Sequence, residues 1–157
     1  MAWTNSKIGA QTILDLIDDT SDMDIDADTF KIALYNNSIT PDNTAAAASF
    51  AYNAGQFANS NEVDDGTNWD AGGETVPNVD ATRTAAVITI DGDNTSQGGV
   101  STTLADVYGH LFYDDTVASP VADQGWSYNY YGGVQSVTAG TFTVQHHASG
   151  IMALTLT

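Results

Sequence analysis

Beyond residue 80 the chain alternates short β-type runs with turn residues at close spacing, and this pattern limits the fold more than any other feature. One run covers 81–91 and holds the β-branched series Val87, Ile88, Thr89 and Ile90; others cover 105–113 and 126–131. Asp91-Gly-Asp-Asn94, Gly98-Gly99, Asp114-Asp115, Gly132-Gly133 and Ala139-Gly140 punctuate them. Short strands spaced in this way predict an antiparallel β-sandwich, or a barrel-like variant of it. At the end of the chain Phe142, Val144 and His146 alternate on one strand face, and Met152, Leu154 and Leu156 on another. With Ala148-Ser-Gly150 between them, they predict a C-terminal β-hairpin over 141–156.

Helical periodicity is persuasive only once. Ala10, Ile13, Leu14 and Ile17 fall at i, i+3, i+4 and i+7, which predicts an amphipathic helix over 5–18 that packs by this apolar face. The acidic stretch from Asp18 to Asp28 ends it. Phe30 to Asn36 then reads as a strand, closed by the turn residues of Asn36 to Asn43. The alanines Ala45 to Ala48 predict a short helix reaching Phe57, and Asn59 to Gly73 reads as a long polar loop. At 157 residues the chain suits a single β-sandwich domain over 1–157 with the helix at its N-terminal end.

Composition excludes whole classes of function. Twenty acidic residues stand against Lys7, Lys31 and Arg83, a formal charge of −17, and three scattered cations cannot hold the phosphates of nucleic acid or an anionic membrane. With 42% apolar and only 15% charged residues, the chain reads as folded. It lacks cysteine, which removes disulfides, thiolate nucleophiles and zinc–cysteine sites. No run approaches about 18 apolar residues, and Met1 to Ile8 lacks the charged head and apolar run of a secretion signal. Alanine, threonine, asparagine, glycine and serine fill the non-core positions, and such short side chains lose little entropy when another surface covers them.

The groups that could carry chemistry read as structural. Asp22, Asp24, Asp26 and Asp28 alternate as if to ligate calcium, but an EF-hand register from Asp22 places Ala27 and Ala33 where glycine and glutamate are required. They read as a solvated acidic edge in an extended segment, with no metal. His146 and His147 are adjacent and point to opposite strand faces, so they cannot share one ion. His110, between Tyr108 and Phe112, reads like His146 as a hydrogen-bonded histidine in or near the core. Ser149 lacks a nucleophile elbow. No catalytic residue, cofactor site or metal site is assigned, and the chain is not read as an enzyme. Trp126, Tyr128 and Tyr130 alternate along one strand face, where aromatics anchor interfaces or stack on sugars when they do not fill a core.

The order of segments resembles a family of small structural proteins encoded in the virion gene clusters of tailed bacteriophages. The resemblance rests on the N-terminal helix and on Asp28-Thr-Phe-Lys-Ile-Ala-Leu-Tyr-Asn-Asn-Ser-Ile-Thr-Pro-Asp42. It continues through Asn61-Glu-Val63, Ala71-Gly-Gly73, Ala105 to Asp115, Gln135 to Gln145 and the Gly150-Ile-Met-Ala-Leu-Thr155 ending. Asp64 to Asp70 departs from the family pattern, which has glycine and tyrosine there. The resemblance implies a non-catalytic capsid decoration or cement protein, made in the host cytoplasm and placed on the virion exterior. Its partner would be the major capsid protein, with self-association as a symmetric oligomer, first as a trimer. Two alternatives stand beside it: a tail or head–tail junction component, and a lectin-like adhesion module using Trp126, Tyr128 and Tyr130.

Overall fold

The computed structural model describes residues 3–96 and 101–156. Along the chain run β1 (Lys7–Ile8), α1 (Ala10–Ile17), β2 (Phe30–Tyr35), β3 (Glu74–Thr75), β4 (Asp80–Thr84) and β5 (Val87–Asp91). β6 (Thr95–Ser96), β7 (Thr102–Asp114), β8 (Gly125–Gly140), β9 (Thr143–Val144) and β10 (Met152–Thr155) follow. All pairings between these strands are antiparallel. They form a five-stranded sheet in the order β1-β8-β7-β2-β3, a three-stranded sheet β10-β5-β4 and the pair β6-β9. The fold is mainly β and sandwich-like, open rather than a closed barrel, with one N-terminal helix.

β2 explains why the large sheet lies at the centre. Its successive residues point to opposite faces, yet Ile32, Ala33, Leu34 and Tyr35 are all buried. Phe30, Ile32 and Leu34 join Leu104, Phe112, Ile90, Val144 and Trp69 in one cluster, toward the small sheets. Ala33 and Tyr35 join Leu111, Tyr113 and Tyr128 in a second, capped by Trp3, Ile39, Phe50 and Phe57. The segment between β2 and β3 is thus a lid over the far face. It contains three single 3-10 turns, at Ala47–Ser49, Gly55–Phe57 and Asn59–Asn61, where one short helix was expected.

The polar loop within that segment is pinned at several points, Trp69 and Asp65 among them. Trp69 is fully buried and meets Phe142 edge-on at 5.5 Å. The Asp65 carboxylate accepts backbone N–H groups from Asn68 (2.7 Å), Trp69 (2.8 Å), Thr67 (3.1 Å) and Thr103 (3.2 Å). These bonds, those from Trp69 and Asn68 foremost, hold its carboxyl far below the usual carboxylate range.

Four local expectations are corrected. The helix begins at Ala10, because Lys7 and Ile8 pair with Tyr128 and Ser127 as an edge strand. The run over 81–91 is a hairpin: Ala85 takes φ 53° and the chain reverses between β4 and β5. The acidic stretch 22–28 is a turn whose carboxylates accept backbone N–H groups, as Asp28 does from Asp24 (2.6 Å) and Asp26 from Ala81 (3.0 Å), so they do not line one extended edge. The C-terminal hairpin over 141–156 does not form. β9 pairs with β6, and β10 instead sets Met152 against Ile90 and Leu154 against Ile88, matching apolar side chains across the pair. Gly150 makes the diversion at φ 99°, where an added Cβ would lie 2.5 Å from Thr89 Cγ2. The Gly98-Gly99 turn and Thr157 lie outside the described residues.

Candidate functional site

Helix α1 is mounted with Leu14 and Ile17 of its expected inner face outward, while Ile13 packs against the core. At about 100° per residue, Ile13, Ile17, Ala10 and Leu14 span one arc, and Thr12 and Asp15 lie opposite. The structure buries Thr12 and Asp15 and leaves Leu14 50% and Ile17 78% exposed. The reason is a polar network beneath the helix. Thr12 Oγ1 donates to the Gly125 carbonyl (2.6 Å), and Gln124 Nε2 donates to Asp15 Oδ2 (2.7 Å). Gln11 Nε2 reaches the other Asp15 oxygen at 2.7 Å, and Ser21 Oγ donates to Gln124 Oε1 at 3.0 Å. Both Asp15 oxygens and both ends of the Gln124 amide are therefore engaged, which a buried polar group requires.

Part of that arc, Ile13 and Ile17, with Leu16 beside it, faces the three-stranded sheet across an open groove of about 200 Å³, and Leu14 lies outside its lining. Ile13, Leu16 and Ile17 form the helix wall. Ile88, Ile90, Met152 and Leu154 form the sheet wall, as cross-strand pairs on one face of β5 and β10. Ile8 and Trp126 complete the lining, which contains no charged residue. Leu154 is 40% exposed at its edge. An apolar hollow with apolar side chains at its rim is among the features that interaction surfaces and ligand grooves present.

The aromatic trio of β8 is not a stacking platform. Tyr128 pairs with Leu111 and Tyr130 with Gly109, so both lie on the face of the second cluster. Trp3 covers them, edge-on to Tyr128 at 6.0 Å and stacked by Tyr130 at 6.4 Å. Trp126 is turned to the other cluster, because the register passes from Phe112 with Ser127 to Tyr113 with Gly125 and leaves Trp126 as the extra residue of a β-bulge. Trp126 and Tyr128 are 4% and 3% exposed. Of the trio, only Trp126 lines the groove.

The histidines come together in a way the sequence spacing hides. His110 is buried, with Nδ1 2.7 Å from Tyr131 Oη and Nε2 3.1 Å from Asn129 Nδ2. The Asn129 amide donates, which assigns the imidazole proton to Nδ1. Burial, with His146 nearby as a lesser cause, pushes His110 down to about 3. His146 Nε2 is buried without a hydrogen-bond partner among the described residues, and burial lowers its pKa as well. Both ring nitrogens of His110 are already engaged, so the two histidines do not make a ligand set. His147 and Ser149 are exposed and bond each other through Ser149 N–H and His147 Nδ1 at 3.1 Å. Among the described residues no group of three or more metal-binding side chains gathers.

One further buried acid is missed by sequence reading. Asp114 is fully buried; its Oδ1 accepts from Thr116 N (2.7 Å) and Val117 N (3.1 Å), and its Oδ2 has no donor among the described residues. Burial, and then the Asp28 carboxyl beside it, raise its pKa well above the usual carboxylate range, so it takes up its proton at a higher pH than an ordinary carboxylate does. No protein-family model, curated protein or solved structure matches this chain.

Proposed function

We propose that this chain is a structural virion protein of a tailed bacteriophage, bound to the outer face of the capsid shell and stabilising it without catalysis. The observation that carries the reading is the inverted helix with its groove. A chain of this charge leaves one strongly apolar face exposed, and such a face contributes free energy only when another protein buries it. The segment order quoted above supplies the virion class. Mechanically, contacts made only by the assembled shell shift the balance against its rupture, because opening the shell must break them too. The acidic exterior suits a particle surface, since like charge keeps particles apart. The carbohydrate reading loses support with the burial of Trp126 and Tyr128.

The test is to purify particles of the source phage, identify the chain by mass spectrometry, and locate and count its copies by labelled antibody in the electron microscope. Many copies distributed over the head support decoration. A few copies at the tail would move it to the junction, and absence from particles would overturn the virion reading.

A further inference from the structure

The groove lies beside the ridge that fits it. Ile17, 78% exposed, stands at the rim of the hollow that it lines with Ile13, Leu16 and the β5–β10 wall, and Leu14, 50% exposed, projects beside it three residues earlier on α1. When a knob and a hole share one face, a two-fold axis through that face seats each copy's knob in the other's hole. A ring would require them on different faces.

The charges around this face are arranged for the same occupant. Of the three cations, Lys31 is taken by Asp115 at 2.8 Å. Arg83 pairs in register with Ile88 and so stands on the groove side of the small sheet. Lys7 lines the adjoining cleft with Ile8 and Met152. Neither Arg83 nor Lys7 makes an ion pair among the described residues. Asp18 and Asp19 follow Ile17 directly, both exposed, at the helix end where the backbone dipole is already negative and a cation is favoured. The apolar face of a strongly acidic chain is therefore fringed by the cations that the chain leaves unpaired. That suits an acidic partner, and this chain is one.

We infer that this face joins two copies of the chain, with Leu14 and Ile17 of each seated in the other's groove and Arg83 facing the partner's Asp18 and Asp19. The inference rests on the structural reading above and narrows the covering protein to a second copy of the chain: a two-fold pair, in place of the trimer that shell symmetry suggested, would then meet the shell by its remaining surface.

Sedimentation equilibrium of the purified chain over a wide concentration range tests it. The expected result is a concentration-dependent species of twice the 16.5 kDa chain mass. Ile17→Asp should raise the dissociation constant by about tenfold or more while leaving the circular dichroism and thermal unfolding of the monomer unchanged, since Ile17 is mostly exposed. Arg83→Glu should weaken the pair, and Asp18→Lys with Asp19→Lys added to it should restore affinity. A chain that stays monomeric, a species of three chain masses, or a pair indifferent to Ile17→Asp would overturn the inference. The two proposals fail separately. A groove-dependent pair from a chain absent from virions sinks only the virion reading, and a monomer found on virions sinks only the pair.

Discussion

Below neutral pH and above about pH 3, Asp114 and His110 are both buried in their neutral forms, and they push stability in opposite directions as pH changes. Unfolding lets His110 bind a proton near the ordinary histidine value of 6.5, which the fold resists down to about 3. Its contribution is complete above that window and is lost as pH falls through it. Unfolding lets Asp114 release a proton above 3.8, which the fold resists, so stability falls as pH rises out of the ordinary carboxylate range. Between about pH 4 and 6.5 the two slopes oppose, each on the order of 1 kcal/mol per pH unit. Urea unfolding at stepped pH should therefore show Asp114→Asn gaining stability as pH rises and exceeding the wild type near pH 8. His110→Gln should show the reverse slope whatever its absolute stability. Parallel pH profiles for wild type and both variants would mean that neither group is held neutral. Neither role was legible in sequence: His110 looked like a core histidine and is one, but its neighbour His146 lies 36 positions on, and the proximity of Asp28 to Asp114 comes from a turn that spacing could not locate.

At the scale of elements, periodicity located α1 and misjudged its orientation. The spacing of Ala10, Ile13, Leu14 and Ile17 names an apolar arc, but a pattern cannot say which arc meets the body when Asp15 and Thr12 find buried partners in Gln124 and Gly125. The inversion makes paired predictions. Asp15→Leu should cost about 1–3 kcal/mol in chemical denaturation, because it strands the buried Gln124 amide. Ile17→Asp, at a solvated position, should change it by no more than about 0.5 kcal/mol. If Ile17→Asp proves the costlier of the two, the helix is mounted the other way. The C-terminal strands taught the same lesson. Both amphipathic runs were legible, but Ala148-Ser-Gly150 looked like a hairpin turn, and only the match of Met152 and Leu154 with Ile90 and Ile88 shows where the last strand goes. Gly150→Ala should destabilise by more than about 1 kcal/mol, since φ there is positive and Thr89 occupies the space. An unchanged midpoint would place the chain reversal elsewhere.

For the molecule as a whole, the sandwich class was readable because turn spacing and strand alternation survive any detail of register. The groove was not, since its walls come from 13–17, 88–90 and 152–154, three segments that only the fold assembles. Net charge sets how this face can be used. Two bodies of −17 repel at low salt, and the Debye length shortens from about 10 Å at 0.1 M to about 3 Å at 1 M. Sodium chloride should therefore tighten pairing through an apolar face, because screening removes more repulsion than the Arg83 contacts supply; pairing that dissolves in molar salt would mark it as ionic. The central claim, that the α1 groove face is the surface the protein uses to assemble, has a direct measurement. The chain has no cysteine, so Ile17→Cys or Leu154→Cys introduces a unique thiol on that face, and Thr82→Cys, on the opposite face of the small sheet, serves as the control. Maleimide labelling rates are compared in dilute solution, in concentrated solution and on particles. The account predicts that the two groove thiols label as fast as the control when dilute and become protected when concentrated or particle-bound, while the control stays reactive. Groove thiols that remain as reactive as the control in every state would contradict it.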